Sequence, residues 1–507
     1  MKRWSLAVWF VFPLLLGSPL VGAADVSLPR PNIVFIMTDQ QFADAMSCRM
    51  GREFINTPNM DRLARTGTLF ARAYSANPLC MPSRNSIFTG HYPHETGVTV
   101  NNPPAGAFDP NRFTCMGKYF RKAGYDAAYS GKWHLCFDTK DGDTHGFDIL
   151  TGKATDGYDA KVADGAVQFI ARPHARPFLL VVSFLNPHNV CEWSRRLAGR
   201  EQRLNCGEIG TPPPLDQLPP LPANFEPQKN EPDGITMMRR AYQVDDGLFP
   251  VSKFTEEDWR KLRWGYYRMV EMVDAEIGKV LTALQEAGLE DNTVIIFTSD
   301  HGECAGAHRF NQKTVLYEES ARVPLIIAWK GKTSGEVSDK LVNTGIDLLP
   351  TMLDIAGLEI PKDLPGISLL PLVFDKPVSS WREYIVVENN MAQGGEVDGL
   401  RPRMQGRMVR TDRYKYCIFD RGQQRESLVD METDPGETLN VAADPRYRDV
   451  LSQHRQILAQ FSREHHDKLA AELVADPTRP IPFTDTGATE TPRDAKTRVV
   501  TKRVPET

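Results

Sequence analysis

The chain has 507 residues, of which 41% are hydrophobic and 25% are charged. This composition excludes wholesale disorder and fibrous or collagen-like proteins, and the length is sufficient for one large domain and a smaller one. The 60 lysines and arginines nearly balance the 65 aspartates and glutamates, which gives a formal net charge of −5. A nucleic-acid-binding protein would show a basic face or tail, so we expect no nucleic-acid partner.

The first 24 residues have the pattern of a secretory signal peptide. Lys2 and Arg3 precede an apolar run over 6–16, and small residues follow at 22–24. An uncleaved membrane anchor is the alternative, but the run is shorter than the roughly 20 residues that cross a bilayer. The chain has no Asn-x-Ser/Thr sequon, which favours a bacterial protein. We therefore expect a signal peptide over 1–24, no stable membrane anchor, and a periplasmic or secreted location.

Four short apolar runs each end in polar residues that can bind ligands. The runs are 33–37 before Asp39-Gln40, 126–129 before Gly131-Lys132-Trp133-His134, 178–184 before Asn186-Pro187-His188, and 294–297 before Ser299-Asp300-His301-Gly302. Continuous apolar runs of this length are typical of strands buried on both faces of a mostly parallel sheet. Ligand sites in such sheets form outside the carboxyl ends of the strands. The sequence therefore predicts that the four polar clusters converge.

Helical patterns alternate with these runs. The longest begins at Thr255, with Asp258 placed for a capping box, and stops at Gly288. Alternation of strands and helices predicts an α/β sandwich, which we place over 25–375. The proline-rich segment 190–235 predicts a long loop insertion, of the kind that often shapes a substrate pocket.

The pattern changes after about residue 375. Short alternating strands separated by turn residues are predicted at 384–387, 407–410 and 414–418, and a helix at about 446–461. These elements predict a small antiparallel sheet with a helix, in an α+β subdomain over 376–475. The segment 476–507 is rich in proline, threonine and charge, which indicates a surface tail.

A cysteine motif, Cys80-Met81-Pro82-Ser83-Arg84, precedes a predicted helix start and turn over 86–90. From spacing alone, a buried thiol beside a surface charge remains one interpretation. The other is chemical, because a cysteine at a helix N-terminus has a lowered pKa. An arginine one turn later can direct two donors at a tetrahedral oxyanion. The motif thus also fits a nucleophile with an oxyanion clamp.

This motif resembles the Cys-x-Pro-Ser-Arg signature of the sulfatase family in the alkaline-phosphatase superfamily. The resemblance extends from about 31 to 440 and includes the four strand-end clusters in order, Lys313, and a closing motif over 430–437. It implies an alkaline-phosphatase-like sandwich with a large, mostly parallel central sheet flanked by helices, and a smaller C-terminal antiparallel sheet. It also implies that a maturation enzyme converts Cys80 to formylglycine, whose hydrate is the nucleophile that hydrolyses sulfate esters.

The resemblance further implies a divalent metal site. Its ligands would be Asp39, Gln40, the modified Cys80, Asp300 and His301. An oxygen-rich set of this kind favours Ca²⁺, with Mg²⁺ as the alternative. Many sulfatases have two acidic residues in the opening pair, whereas relatives that act on phosphonate or phosphate esters also carry glutamine there. A phosphate or phosphonate ester hydrolase of the same superfamily is therefore the alternative function.

Five more side chains acquire roles from the resemblance. Arg84 would hold the modified cysteine and its oxyanion, while Lys132 and Lys313 neutralise the sulfate oxygens. His134 would remove a proton from the modified cysteine, so that sulfate is released. His188 would protonate the leaving alkoxide.

The substrate is predicted from aromatic and cationic residues beside the expected pocket. They are Trp193, Arg195, Arg196, Asn389, Asn390, Arg401 and Arg403. Together they favour a sulfated carbohydrate over choline sulfate, which would need a tighter aromatic cage; a solvated loop is the alternative for each one alone. A non-catalytic glycan-binding relative is a third hypothesis, which is disfavoured because no catalytic position is lost.

Eight cysteines are too few and too scattered for a disulfide scaffold. Export still permits one or two bridges, and we expect Cys191 and Cys206, which flank a polar loop, to be the pair. Cys304 and His308 are expected to lie behind the site or in its pocket.

Overall fold

The computed structural model describes Met1 and residues 30–151, 159–374, 376, 378 and 380–483. The expected signal peptide, apart from Met1, lies outside the described residues, and so does the expected tail from residue 484 onward. Within these described ranges, no helix has both the length and the apolar character that crossing a membrane requires.

A large sheet of eight strands forms the centre of the molecule. Its strands are β1 (Asn32–Asp39), β2 (Thr68–Tyr74), β3 (Asp126–Gly131), β4 (Asp148–Ile149), β5 (Phe178–Pro187), β6 (Thr293–Ser299), β7 (Leu325–Trp329) and β8 (Val337–Asn343). They lie in the order β4-β3-β5-β1-β6-β7-β2-β8, and only β7 runs against the other seven. This mostly parallel sheet confirms the predicted fold class.

Helices cover both faces of this sheet. The helices that precede the second sheet in the chain are α1 (Ser47–Met50), α2 (Pro58–Thr66), α3 (Cys80–Thr89), α4 (Pro93–Thr96), α5 (Met116–Lys122), α6 (Gly142–His145), α7 (Asp159–Ile170), α8 (Val190–Leu197), α9 (Asp233–Gln243), α10 (Glu256–Glu286), α11 (Glu318–Ala321), α12 (Thr344–Ile355) and α13 (Leu370–Val373). Every residue of β1 is buried. Its Val34 and Ile36 pack in one core with α2, α7 and α10, whereas Phe35 and Met37 pack in the other with α3, α5 and α12. The continuous apolar run of β1 therefore contributes side chains to both hydrophobic cores, one on each face of the sheet.

The longest helix, α10, begins as predicted. Thr255 Oγ1 accepts a hydrogen bond from the Asp258 backbone N–H at 3.2 Å, and the Asp258 carboxylate accepts one from the Thr255 N–H at 2.9 Å. These two bonds form the expected capping box.

The expected loop insertion over 190–235 is partly wrong. Its first eight residues form α8, because Val190, Cys191, Trp193 and Ser194 supply a buried helical face. The prolines come later in the segment and do not interrupt this helix.

The second sheet is small and antiparallel, as predicted. Its strands are β9 (Tyr384–Met391), β10 (Met404–Thr411), β11 (Tyr414–Phe419) and β12 (Glu426–Asp430), in the order β12-β11-β10-β9. Two helices, α14 (Arg448–Glu464) and α15 (Lys468–Ala475), pack against it through Leu458, Phe461 and Leu473. Strand β12 was not predicted from the sequence. The domain boundaries themselves remain predictions.

The expected disulfide is absent. All eight cysteines, each of which lies in a described part of the chain, are free thiols. Cys191 lies on α8, where Gln312 Nε2 approaches its sulfur to 3.3 Å, and the Cys206 thiol is 3.5 Å from the Gly207 carbonyl oxygen. The helix turns Cys191 toward polar groups at the candidate site, an orientation that the sequence spacing does not reveal.

Candidate active site

The four polar clusters meet at one edge of the large sheet. They follow β1, β3, β5 and β6, which are adjacent parallel strands. Helix α3 begins at the same place, because the sulfur of its first residue, Cys80, lies 3.7 Å from Asp39 Oδ1 and 3.1 Å from His301 Nε2. The structure therefore brings the predicted site residues together, as expected for strand ends in an α/β sheet.

Arg84 connects the two aspartates of the site. Its side chain is fully buried, with Nε 2.7 Å from Asp300 Oδ2 and Nη2 3.0 Å from Asp39 Oδ2. Nη1 donates to the Lys132 carbonyl at 3.0 Å and to Ser183 Oγ at 2.8 Å. All three nitrogens are thus directed at protein groups, and Arg84 fixes the carboxylates instead of pointing at a substrate oxyanion.

Four side chains could surround a cation. Asp39, Cys80, Asp300 and His301 each offer one ligand atom, and these atoms lie within 4.8 Å of one another. His301 Nδ1 lies 2.9 Å from the Gly302 carbonyl, to which it donates in the tautomer that leaves Nε2 free as a ligand. Burial and the charge of Asp39 raise the pKa of Asp300 to about 6. This buried negative charge and the oxygen-rich donor set fit a hard divalent cation.

Gln40 lies next to this cluster, and its amide orientation is fixed from both ends. Nε2 donates to Glu303 Oε2 at 2.5 Å, and Oε1 accepts from Lys313 Nζ at 2.5 Å. A carboxylate only accepts and an ammonium only donates, so a flipped amide would lose both bonds. An amide oxygen has two lone pairs, so Gln40 Oε1 can keep Lys313 and still act as a metal ligand. An acidic residue at position 40 would face the buried Glu303 carboxylate, which explains the glutamine on electrostatic grounds.

Cys80 is 1% exposed and lies among cationic groups. Burial opposes ionisation of the thiol, but Lys132, Lys313 and His301 hold the pKa of Cys80 well below its usual value. His134 also favours the charged thiolate. The first residue of α3 is therefore a position where the protein stabilises negative charge.

His188 and Lys132 complete the set that sequence reasoning named. Burial, with the charges of Lys313 and Lys132, lowers the pKa of His188 to about 4, and His188 lines the same cavity as Cys80. Lys132 forms an ion pair with Asp39 Oδ2. All of the predicted site residues thus lie in one cluster around Cys80.

A cavity of about 460 Å³ opens beside Cys80. Its lining also includes Asn101, Asn102, Lys132, His134, Leu185, His188, Asn189, Cys191, Glu192, Arg195, Asn205, Leu248, Phe249, Lys313 and Gln393. Polar side chains predominate, with an apolar patch at Leu248 and Phe249. The dimensions and chemistry suit a polar ligand larger than sulfate itself.

Of the seven residues that the sequence suggested for substrate binding, one lines this cavity. That residue is Arg195. Trp193 is buried and donates its indole N–H to the Lys261 carbonyl at 3.0 Å, and Arg196 pairs with Glu208 at 2.9 Å. Asn389 donates to the Thr314 carbonyl at 2.8 Å. The other three, Asn390, Arg401 and Arg403, are not part of the lining.

Comparison with known proteins identifies the family. The chain matches the Sulfatase family over residues 31–358, and the family described as N-sulphoglucosamine sulphohydrolase, C-terminal, over residues 306–464. The chain belongs to the sulfatase family. It is a sulfuric ester hydrolase of the alkaline-phosphatase superfamily.

Two curated relatives of this sulfatase come from Bacteroides thetaiotaomicron. The chain is 30% identical over 482 residues to a Delta 4,5-hexuronate-2-O-sulfatase, covering 91% of this chain and 95% of the relative. It is 29% identical over 509 residues to an N-acetylglucosamine-6-O-sulfatase, covering 86% and 87%.

Solved structures agree with the fold. A 2-O GAG sulfatase superposes with a TM-score of 0.75 at 28% identity, covering 87% of this chain and 94% of that one. A phosphonate monoester hydrolase of Agrobacterium radiobacter superposes with a TM-score of 0.68 at 24% identity, covering 86% and 96%. The second comparison shows the shared fold alone.

Sequence reasoning missed several residues of the sulfatase site. Glu303 directly follows the predicted Asp300-His301-Gly302 cluster, and its position there is a signal that could have been used. Gln393 and Phe249 come from irregular segments without a periodic pattern. Cys304 is buried away from the cavity lining, and His308 stacks on Tyr317 with ring centroids 3.7 Å apart. Those two are therefore behind the site and not in the pocket.

Proposed function

We propose that this sulfatase is exported and removes sulfate from a sulfated carbohydrate, using formylglycine made from Cys80 and a bound Ca²⁺. One observation carries the proposal. Lys132 and Lys313 line, together with Cys80, a polar cavity that is large enough for a sugar. The printed names of two relatives, a hexuronate sulfatase and an N-acetylglucosamine sulfatase, support a carbohydrate substrate.

Unpaired polar atoms in the cavity wall support a hydroxyl-rich ligand. Asn189 Oδ1, Gln393 Oε1 and His134 Nδ1 are buried without a hydrogen-bond partner in the described part of the chain. Asn189 Nδ2 donates to the Glu192 carboxylate at 3.0 Å, which fixes Oδ1 as the unpaired acceptor. An unpaired buried polar atom costs about 1–3 kcal/mol. Sugar hydroxyl groups are suitable partners for these atoms.

The proposed metal ligands are Asp39, Gln40, the modified Cys80, Asp300 and His301, with Ca²⁺ preferred and Mg²⁺ as the alternative. When bound, the cation would supply positive charge that lowers the pKa of the nucleophile. Formylglycine would supply the nucleophilic oxygen, and its formation requires a maturation enzyme as a partner. This chain's own side chains would hold both groups in place, and Arg84 contributes by fixing both aspartates.

The remaining side chains bind the substrate and move protons. Lys132 and Lys313 would bind the sulfate oxygens that stay on sulfur, where negative charge grows in the transition state. Burial and the two lysines lower the pKa of His188 to about 4 when no substrate is bound. An anionic substrate would offset the charge of those lysines, so that His188 would take up the proton that the leaving oxygen needs. His134, which lines the cavity with residue 80, would take a proton from the modified side chain of that residue.

Export rests on the sequence pattern at the start of the chain. Lys2, Arg3, the apolar run 6–16 and the small residues 22–24 support cleavage and a periplasmic or secreted location. The N-terminal residue of protein recovered from outside the cytoplasm tests this part. We expect a new N-terminus near residue 25, and an intact Met1 would contradict it.

The alternative substrate, a phosphate or phosphonate ester, is suggested by Gln40. Glu303 supplies a local reason for the glutamine, so the residue does not by itself indicate phosphorus chemistry. Rates on 4-nitrophenyl sulfate, 4-nitrophenyl phosphate and a 4-nitrophenyl phosphonate distinguish the two functions. We expect the largest kcat/KM on the sulfate. A larger value on either phosphorus ester would overturn the proposal.

Replacing His188 with alanine tests the proton donor. We expect a loss of about 10²–10⁴-fold in kcat on sugar sulfates, whose alkoxide leaving groups need a proton. The loss on 4-nitrophenyl sulfate should be much smaller, because that phenolate leaves without one. The substitution His174→Gln, at a histidine whose ring contacts the Phe169 carbonyl away from the site, is the control. Equal losses on both substrates would rule out the assigned role.

Replacing Glu303 with glutamine tests the orientation of Gln40. Glu303 accepts from Gln40 Nε2 and from the Ala305 N–H, and a glutamine offers only one oxygen to these two donors. We expect Ca²⁺ affinity, measured by calorimetric titration of metal-depleted protein, to fall about 10–100-fold. Glu319→Gln removes a neighbouring, partly buried charge that contacts Asn224 and not Gln40, so it should bind Ca²⁺ normally. Unchanged affinity in Glu303→Gln would contradict the assignment.

A further inference from the structure

The cavity wall carries a cation that the hydrolysis of a sulfate ester does not require. Arg195 lies on α8 and lines the cavity. Its Nε donates to the Leu248 carbonyl at 3.1 Å, while Nη1 and Nη2 have no hydrogen bond or ion pair with any described residue. The bond from Nε restricts the plane of the guanidinium group. Two donors of a partly immobilised arginine are therefore left for a ligand.

The nearest acid on the same helix does not neutralise Arg195. Glu192 Oε2 accepts from Asn189 Nδ2 at 3.0 Å and from the Asn205 N–H at 2.7 Å, and Oε1 accepts from Asn205 Nδ2 at 2.5 Å. This carboxylate is thus occupied by amide groups. It is the only acidic side chain among the cavity-lining residues that the structure describes.

The adjacent arginine on α8 shows the contrast. Arg196 Nη1 and Nη2 both reach the Glu208 carboxylate, at 2.9 and 3.3 Å, and Arg196 does not line the cavity. Within one turn of helix, one arginine is paired away from the cavity and the other is unpaired on its wall. Holding a guanidinium unpaired at a partly buried position is unfavourable unless a ligand supplies the negative charge.

We propose that Arg195 forms an anion subsite for a second negatively charged group of the substrate, either a carboxylate or a second sulfate. This inference rests on the proposed function and narrows the substrate class to sugars with two anionic groups. Nη1 and Nη2 present two parallel N–H donors, which match two oxygens of either anion. The first sulfate lies at Lys132 and Lys313, and the second anion lies at α8. A sugar ring spans the distance between the two anions and hydrogen-bonds to the Asn189 and Gln393 side chains of the cavity lining.

Two matched pairs of substrates test the subsite in the matured, Ca²⁺-loaded enzyme. One pair is a sulfated uronoside and its carboxylate methyl ester, and the other is a disulfated hexosamine and its monosulfated form. In one of the two pairs, we expect the wild-type enzyme to prefer the substrate with two negatively charged groups, which we call the dianion. The pair that shows this preference identifies the second group as a carboxylate or as a sulfate. Arg195→Gln should reduce kcat/KM on that dianion by about 10–100-fold more than on 4-nitrophenyl sulfate. Arg195→Lys should recover part of the loss, because lysine retains the positive charge but lacks the two parallel N–H donors of a guanidinium group.

Arg196→Gln is the matched control, and it should keep the wild-type preference. A wild-type enzyme that hydrolyses 4-nitrophenyl sulfate but prefers neither dianion would overturn the subsite and leave the sulfatase function intact. An equal loss on all substrates in Arg195→Gln would also overturn it, because such a loss indicates a structural role. No hydrolysis of any sulfate ester would overturn the proposed function, and the subsite with it.

Discussion

Replacing Cys80 with alanine should lower kcat on 4-nitrophenyl sulfate by at least about 10⁴-fold, the scale seen when an enzyme loses its nucleophile. The side chain is at the centre of the site, 3.1 Å from His301 Nε2 and 3.7 Å from Asp39 Oδ1. Cys191 also lines the cavity, but burial raises the pKa of its thiol, whereas Lys132, Lys313 and His301 hold the pKa of Cys80 well below its usual value. Steady-state rates of matured wild-type and variant enzyme provide the measurement.

Cys136→Ala is the matched control for this experiment. The Cys136 thiol lies 3.6 Å from the Met81 sulfur, close to the site in sequence and space but outside the cavity lining. The control variant should keep the wild-type rate within a few-fold. A Cys80→Ala enzyme that retains a tenth or more of wild-type activity would show that another group is the nucleophile.

Replacing Arg84 with methionine should be the most destabilising single substitution in the site. Methionine keeps much of the apolar volume but leaves Asp39 and Asp300 buried without their shared partner. Breaking a buried ion pair by removing one member costs about 3–5 kcal/mol. The free energy of unfolding, measured with urea in the presence of a chelator, should fall by this amount. Added Ca²⁺ should restore part of it, because a cation between the aspartates supplies the missing charge.

Arg413→Met provides the comparison for the stability experiment. Arg413 also pairs with a carboxylate, Asp430, but its side chain is 49% exposed. Exposed pairs contribute about 0–1 kcal/mol, so this variant should unfold almost as the wild type does. If Arg84→Met without metal were as stable as Arg413→Met, Arg84 would not be what holds the two aspartates together.

The sequence was sufficient for the sheet and for the convergence of the site. The run around Val34 is apolar on both faces because β1 lies between two other strands and between two helical layers. Such a run is visible without any tertiary information. Polar residues directly after four runs then had to meet, because parallel neighbours end at the same edge. Asp39, Lys132, His188 and Asp300 were found in this way.

Side-chain direction in irregular or amphipathic segments was not predictable. Trp193, Arg195 and Arg196 were equally suggestive in sequence, yet the turn of α8 buries the first, exposes the second to the cavity and pairs the third with Glu208. The same helix removes Cys191 from the expected disulfide. These outcomes depend on which face of α8 packs, whereas the prolines of the segment predict a loop throughout.

Hydrogen bonds between residues that are distant in sequence were also not predictable from the sequence. Gln40 and Glu303 are 263 positions apart, and their hydrogen bond exists only in the folded chain. The sequence therefore revealed Gln40 as a departure from many sulfatases but not its cause. The amide's fixed orientation is a property of the tertiary structure.

The mass of the tryptic peptide Ala73–Arg84, from active protein made in its own host, tests the central claim most directly. Conversion of Cys80 to formylglycine replaces sulfur and two hydrogens with one oxygen, so the peptide should be lighter than the sequence mass by that difference. We predict that the lighter peptide predominates and that its fraction rises in proportion to kcat. Fully active protein whose peptide carries only an unmodified Cys80 would contradict the account and indicate a thiol nucleophile.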